Sequence, residues 1–292
     1  MIKNQKKAMF FALIAVAMWS TVATAFKVTL SYFAPIQMLL VATGSTILLL
    51  AIACYRQKKL PLLKPYFLKQ PLYYLLLGLL NPCFYYLILF EAYDLLPAQQ
   101  AQSLNYTWAI TLSILAVPFL GHKLTTKDLL AIALAYSGAL IIATKGDLLT
   151  LDFNNPWGVF LALLSTLIWA LYWILNAKNS GDSIVSLLLC FLLAFPAIII
   201  ATSIMSDFNL VAWQGWLGAI YIGLFEMGFA FIAWVTALRY AENTAKISNL
   251  IFISPFVSLL LLNMIIDEAI YPATIVGLVF IVAGLLIQQM KK

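Results

Sequence analysis

The chain has 292 residues, of which 64% are hydrophobic and only 10% charged, with a formal net charge of +6. Soluble domains carry roughly a quarter charged residues, so this composition excludes an ordinary soluble globular protein. Its apolar runs are continuous rather than alternating, which excludes a β-barrel built from strands of about ten residues.

Runs close to the roughly 20 residues that span a bilayer as a helix fall at 8–28, 35–55, 71–93, 98–120, 127–145, 156–177, 184–205, 213–238, 245–266 and 271–290. The links between them are short and leave no room for a soluble catalytic domain. The first run follows a basic start, like a signal peptide, but it is too long and lacks a small-residue cleavage site near Lys27. It is expected to be a retained first helix.

Charge then orients these spans. With the N-terminus in the cytoplasm, Lys3, Lys6, Lys7, Arg56, Lys58, Lys59, Lys64, Lys69, Lys123, Lys127, Lys178, Arg239, Lys246, Lys291 and Lys292 fall inside, and only Lys27 and Lys145 fall outside. That bias predicts both termini in the cytoplasm. The basic balance therefore reflects topology and does not call for a nucleic-acid partner. Asp94, Asp147, Asp152, Asp207, Asp267 and Glu268 lie on the outer side. Cys54, Cys83 and Cys190 sit in or at the ends of apolar runs, where thiols pack as small hydrophobes.

The chain also repeats itself. Residues 78–92 align without gaps on 223–237 at an offset of 145, and 121–138 align on 267–284 at an offset of 146. Trp19 in the first run has Trp169 in the sixth, at an offset of 150. Five helices per half is an odd number, so the second half enters the membrane from the opposite face. Such inverted repeats are a transporter architecture with a midplane site between the halves. The expected fold is an all-α polytopic membrane protein of ten transmembrane helices, arranged as two inverted five-helix repeats around a central cavity. The halves are 1–147 and 148–292, joined through the short polar connector 148–155 as one integrated membrane domain.

Glu226 is the first candidate for function. It lies about 20 Å along its helix from either end, opposite Asn81 in the repeat alignment. Ala219, Gly223, Ala230 and Ala233 share its face at helical spacing, and such a small-residue stripe lets another helix approach. Glu226 should thus point inward. A charge at a helix centre costs roughly 2.5–3.5 kcal/mol on insertion scales, so the group must be paired, hydrated or protonated. Three roles stay open: counter-ion for a substrate ammonium, proton carrier, or structural acid bonded to a neighbouring helix.

Asn81 is either a lining residue or an interhelical hydrogen-bonding group, with Tyr85 one turn on and Pro82 able to bend the helix. The fourth run begins with Gln99, Gln100, Gln102, Ser103, Asn105 and Trp108, too polar for a lipid-facing segment. Gln102, Asn105 and Ala109 form one stripe of it, flanked by Trp108. Lys246, Asn249 and Phe256 form a comparable stripe in the ninth run, where Ser254-Pro255 should loosen the helix. Lys246 is expected to snorkel to the surface. Trp19 stands above a polar edge of Ser20, Thr24 and Lys27, and Trp169 is followed by Tyr172 and Asn176. Each tryptophan either packs in the core or offers its ring to a substrate cation. Tyr73, Tyr74, Trp213 and Trp216 read as belt aromatics, and His122 as a solvated loop residue. No phosphate loop, catalytic triad or metal-ligand spacing is present, so no enzyme activity, cofactor or metal is expected.

Ten spans in two repeats, with Trp19 and Trp169 in the opening helices, resemble the drug/metabolite transporter superfamily of the EamA type over essentially the whole chain. The stretches 105–108 (NYTW), 168–172 (IWALY), 228–234 (GFAFIAW) and Ser254-Pro255 are similar to YddG-type amino acid and metabolite exporters. Ala109 departs from that group, which has a proline after the tryptophan, and Glu226 stands where a small polar residue is usual. The resemblance implies a secondary transporter in a bacterial inner membrane, monomer or homodimer, that exports small amine-bearing metabolites such as amino acids by alternating access. It would be driven by the substrate's own gradient or by protons, with Glu226, read from the residues themselves, as the candidate proton-coupling group. The substrate would contact Glu226, Asn81, Tyr85, Gln102, Asn105, Trp108, Trp19, Trp169 and Asn249. An importer or antiporter of small organic cations is the alternative within transport, and a non-transport membrane scaffold the alternative outside it.

Overall fold

The computed structural model describes residues 3–121, 123–149, 153, 155–207 and 212–289. His122, Asp152, Lys291, Lys292 and part of the 148–155 connector lie outside the described residues. Among the described residues the chain is helical without a strand. Nine helices among the described residues are long and apolar enough to cross a membrane: α1 (Gln5–Leu30), α2 (Pro35–Arg56), α3 (Pro71–Leu95), α4 (Ala98–Leu120), α5 (Thr126–Ala143), α6 (Pro156–Asn176), α7 (Ser183–Met205), α8 (Trp213–Tyr240) and α9 (Lys246–Ile266). A shorter apolar helix, α10 (Pro272–Gln289), follows them.

Local chemistry marks the boundaries. Pro35, Pro71, Pro156 and Pro272 open their helices, where a missing N–H costs nothing. Asn4, Asn155 and Asp182 cap α1, α6 and α7 by accepting backbone N–H groups, and Thr125 with Asp128 forms a reciprocal capping box on α5. α2 and α5 finish in the same way. Lys58 (φ 55°) and Lys145 (φ 51°) turn left-handed, and the next N–H reaches back to the helix, from Lys59 to Cys54 O and from Gly146 to Ile141 O. Between α2 and α3 the chain forms a further short helix, Leu63–Lys69, that the apolar pattern did not anticipate.

The helices group into two compact units. Unit 1 comprises Met1–Leu87 and Asn179–Ser254; unit 2 comprises Ile88–Lys178 and Pro255–Lys292. Each unit therefore draws on both sequence halves.

In unit 1, α1 packs along α8, and α2 packs along α7. The α2–α7 pair is antiparallel and held at both ends. Gln37 Nε2 donates to Asp207 O at 2.8 Å where α2 begins, and Lys59 meets Asp182 at 2.7 Å just beyond its end. Arg239 lies 3.8 Å from the same carboxylate, and Asn4 N donates to Tyr240 O. One end of unit 1 thus collects the start of α1, the end of α2, the start of α7 and the end of α8. These are segments that the charge bias assigns to a single membrane face.

In unit 2, α5 and α10 pack so closely that a Cβ on Gly138 would meet Gly277 O, and one on Gly277 would meet Gly138 O. The second part of α4 lies along α6. Glu268 closes one end by accepting the N–H groups of Ala98 (3.0 Å) and Gln99 (2.9 Å), a carboxylate cap on α4. Gln99 reciprocates, donating to Ala269 O and accepting from Tyr271 N. Cys54, Cys83 and Cys190 are free and buried. Tyr74 departs from its expected place in an aromatic belt: it is buried, with its hydroxyl 3.4 Å from Asn179 and from Ser186.

Candidate functional site

α8 is not a uniform helix. Over Ile222–Phe229 it widens to a π-helical segment that packs against α1 and α2. Gly223 explains the closeness: a Cβ there would collide with Ala42 O and Ser45 Oγ. Instead Thr46 Oγ1 donates to Gly223 O at 2.8 Å. The small-residue stripe read from sequence thus does admit a neighbouring helix, α2. Wide turns of this kind recur at functional sites because they free backbone groups and re-aim side chains.

Glu226 sits in that segment. Its Oε1 accepts a hydrogen bond from Tyr86 Oη at 3.1 Å. Its Oε2 is buried and has no hydrogen-bond partner among the described residues. One oxygen is thus positioned, and the other remains open to a ligand donor or a proton. Tyr86 was missed by the sequence reading, which favoured Tyr85 by counting one turn from Asn81 through a regular helix. Tyr85 instead packs edge-on against Tyr86, with ring centroids 4.8 Å apart.

The reason is a break in α3. Leu79–Phe84 is a second π-helical segment, and inside it Asn81 is extended (φ −143°, ψ 115°). Pro82 lacks an N–H and pushes the preceding residue out of the helical region, which resets the register that Tyr85 was read from. Asn81 is only 1% exposed, yet neither its Oδ1 nor its Nδ2 finds a partner among the described residues. It does not act as interhelical glue there. The two irregular segments overlap in the repeat alignment, so each half carries an irregularity at the same place, a kink at Asn81-Pro82 in α3 and a wide turn in α8.

Also in unit 1, Trp19 packs against Phe231 (6.2 Å, edge-on) and Trp234 (5.4 Å), and Thr24 Oγ1 is buried without a hydrogen-bond partner among the described residues. Asn249 lies in a 3₁₀ stretch, Asn249–Ile253, with Oδ1 buried and unpartnered. That stretch ends the expected regular stripe: Lys246 is solvent-exposed and Phe256 is 37% exposed.

Unit 2 gathers the other candidates. Trp108 meets Trp169 edge-on at 6.5 Å, and Trp169 stacks on Tyr172 at 5.5 Å and meets Trp173 at 5.8 Å. Asn105 Nδ2 donates to Ser165 Oγ at 3.0 Å. Gln102 Oε1 and Trp173 Nε1 are buried without a hydrogen-bond partner among the described residues. α4 is interrupted at Tyr106 and Thr107, between Asn105 and Ala109. Electron-rich ring faces beside unpaired amide and indole groups can attract a cation and hydrogen-bond its polar substituents. Among the described residues no cluster of three or more His, Cys, Asp or Glu could hold a metal.

The sequence model of the EamA-like transporter family matches residues 6–144 and, a second time, residues 156–288. The chain belongs to the EamA-like transporter family. Members of this family are membrane transporters, and the two matches place Asn81 in one copy and Glu226 in the other. A solved crystal structure 19% identical to this EamA-like protein superposes with a TM-score of 0.66, covering 99% of this chain and 100% of that chain. At that identity the likeness concerns the fold alone. No curated protein matches the sequence.

Proposed function

We propose that this EamA-like protein is a secondary transporter that exports small amine-bearing metabolites, such as amino acids, by alternating access. In this reading ten spans form two inverted repeats, 1–147 and 148–292, in a bacterial inner membrane with both termini in the cytoplasm. The observation that carries the proposal is Glu226: an intramembrane carboxylate with one oxygen held by Tyr86 and the other buried and unpartnered. Ionisable groups inside a membrane mark substrate or ion pathways. An acceptor-only carboxylate fits an ammonium group, and the same oxygen can take up a proton when the amine leaves. Within unit 1, Asn81, Tyr85, Trp19 and Asn249 would share substrate contact with it; Gln102, Asn105, Trp108 and Trp169 are proposed as substrate-binding residues of unit 2.

Flux measurements on protein reconstituted in liposomes test this. Glu226→Gln keeps the shape but removes the charge, and should slow amine transport about tenfold or more, the worth of a charged hydrogen bond, and flatten its pH dependence. Wild-type flux with an unchanged pH profile in that variant would sink the proposal. Saturable flux of no metabolite, with or without a proton gradient, would favour a scaffold. A second reading, an importer or antiporter of small organic cations, draws on the Trp108–Trp169–Tyr172 rings, which suit a cation lacking N–H donors. With Glu226 as its coupling site, it predicts transport of a quaternary ammonium that is lost in Trp169→Ala and that loses its dependence on the proton gradient in Glu226→Gln.

A further inference from the structure

The link between α2 and α3 has a composition found nowhere else in the chain. Residues 55–70, YRQKKLPLLKPYFLKQ, contain Arg56, Lys58, Lys59, Lys64 and Lys69 and no acid. Lys59 is engaged by Asp182 at 2.7 Å. The other four cations are solvent-exposed and form no ion pair with a described residue. Between them Leu62 (37%), Phe67 (36%) and Leu68 (65%) are also exposed, and the Leu60–Leu62 turn and the Leu63–Lys69 helix bury no residue.

This is an ordered element and not a loose loop. The Tyr66 ring stacks on Tyr74 at 6.4 Å, and its hydroxyl accepts the Asp182 N–H at 3.0 Å. Lys58 ends α2 in a left-handed turn, and Lys59 ties the link to the start of α7. One side is thereby pinned to unit 1, and cations alternating with large apolar groups are left on the other.

We infer that the 56–69 link is a docking site for anionic phospholipid: Arg56, Lys58, Lys64 and Lys69 hold the phosphates of headgroups while Phe67 and Leu68 enter the acyl boundary. The argument is one of complementarity and position. The link joins two membrane spans, so it lies at the surface of the leaflet where both end. Basic residues near such a surface attract acidic lipid, and interleaved apolar side chains are what an interfacial helix inserts. A water-soluble acidic partner would match the cations but leave Phe67 and Leu68 unburied.

Titrating detergent-solubilised full-length protein with phosphatidylglycerol and following its melting temperature tests the inference. Phosphatidylglycerol should raise the melting temperature saturably and phosphatidylcholine should not. Each neutralised cation should weaken half-saturation roughly fivefold. The single exposed-site variants Lys64→Gln and Lys69→Gln report this even if the fourfold variant with Arg56→Gln and Lys58→Gln does not fold, and Lys64→Arg with Lys69→Arg should bind as wild type. Lys123→Gln, on another link, should leave binding unchanged. Three results would overturn the site: wild-type binding by Lys64→Gln with Lys69→Gln, equal weakening by Lys123→Gln, or the same shift from millimolar inorganic phosphate, which would make it a free-anion site.

Discussion

The Tyr86 hydroxyl donates to Glu226 at 3.1 Å, and it is the one partner of that carboxylate among the described residues. Tyr86→Phe removes the donor with almost no change in shape. Because a hydrogen bond to a charged group contributes about 1.5–3 kcal/mol, flux in liposomes should fall by about tenfold and the pH profile should shift. Unchanged flux and profile would reduce Tyr86 to packing. Asp182 acts through stability instead. Burial pushes its carboxyl up, but the hydrogen bond from Lys59, the N–H groups of Val185 and Ile184 and the Lys59 charge outweigh burial and hold it below the ordinary carboxylate range. A lowered folded-state pKa means the stabilisation is complete above the unfolded value, about 4, and is lost as pH falls through the folded one. Asp182→Asn keeps the cap but loses the charge. It should melt a few degrees lower at pH 7, with the gap to wild type closing as pH drops below about 4. A gap constant with pH would show that the ion pair does not matter.

At the scale of elements, the apolar runs located the long apolar helices but not the short helix Leu63–Lys69, because twenty consecutive apolar residues have few other structures open to them in lipid. What the runs hid was the irregularity within them. Pro82 announces the break in α3, but nothing between Ile222 and Phe229 is a helix breaker of that kind, and only the alignment with 78–92 pointed there. Close packing was half legible: Gly223 read as a contact for another helix, without saying that α2 would fill it. The Gly138–Gly277 contact between α5 and α10 gives a sharper test. A side chain at 277 must displace backbone, and overpacking of this sort costs about 1–3 kcal/mol. Gly277→Val should therefore lower the melting temperature by several degrees, whereas Gly44→Ala, whose new methyl would only touch Phe195, should change it little.

For the whole molecule, the division into units runs across the repeats. Unit 1 combines Met1–Leu87 with Asn179–Ser254, and the part-buried contacts of Glu226 with Tyr86 and of Asp182 with Lys59 join the two halves. Neither half can bury its own faces alone. Expressed separately, 1–149 and 155–292 should each aggregate or be degraded; expressed together, they should co-purify as a complex. A stable, monodisperse half would show that a repeat folds independently. The candidate site follows the same division: Glu226, Asn81, Trp19 and Asn249 were all proposed from sequence, but they fall in one unit, and Gln102, Asn105, Trp108 and Trp169 in the other.

The sequence by itself determined the membrane class, the positions of the long apolar helices, the repeat and the one acid deep inside an apolar run, since hydropathy, capping residues and self-similarity act locally or by counting. Only the tertiary structure decided that Tyr86 meets Glu226, that Asn81 bonds to nothing described, and that Lys59 closes on Asp182. Those outcomes depend on helical register after a break and on which helices become neighbours, and both are set by packing between segments far apart in the chain.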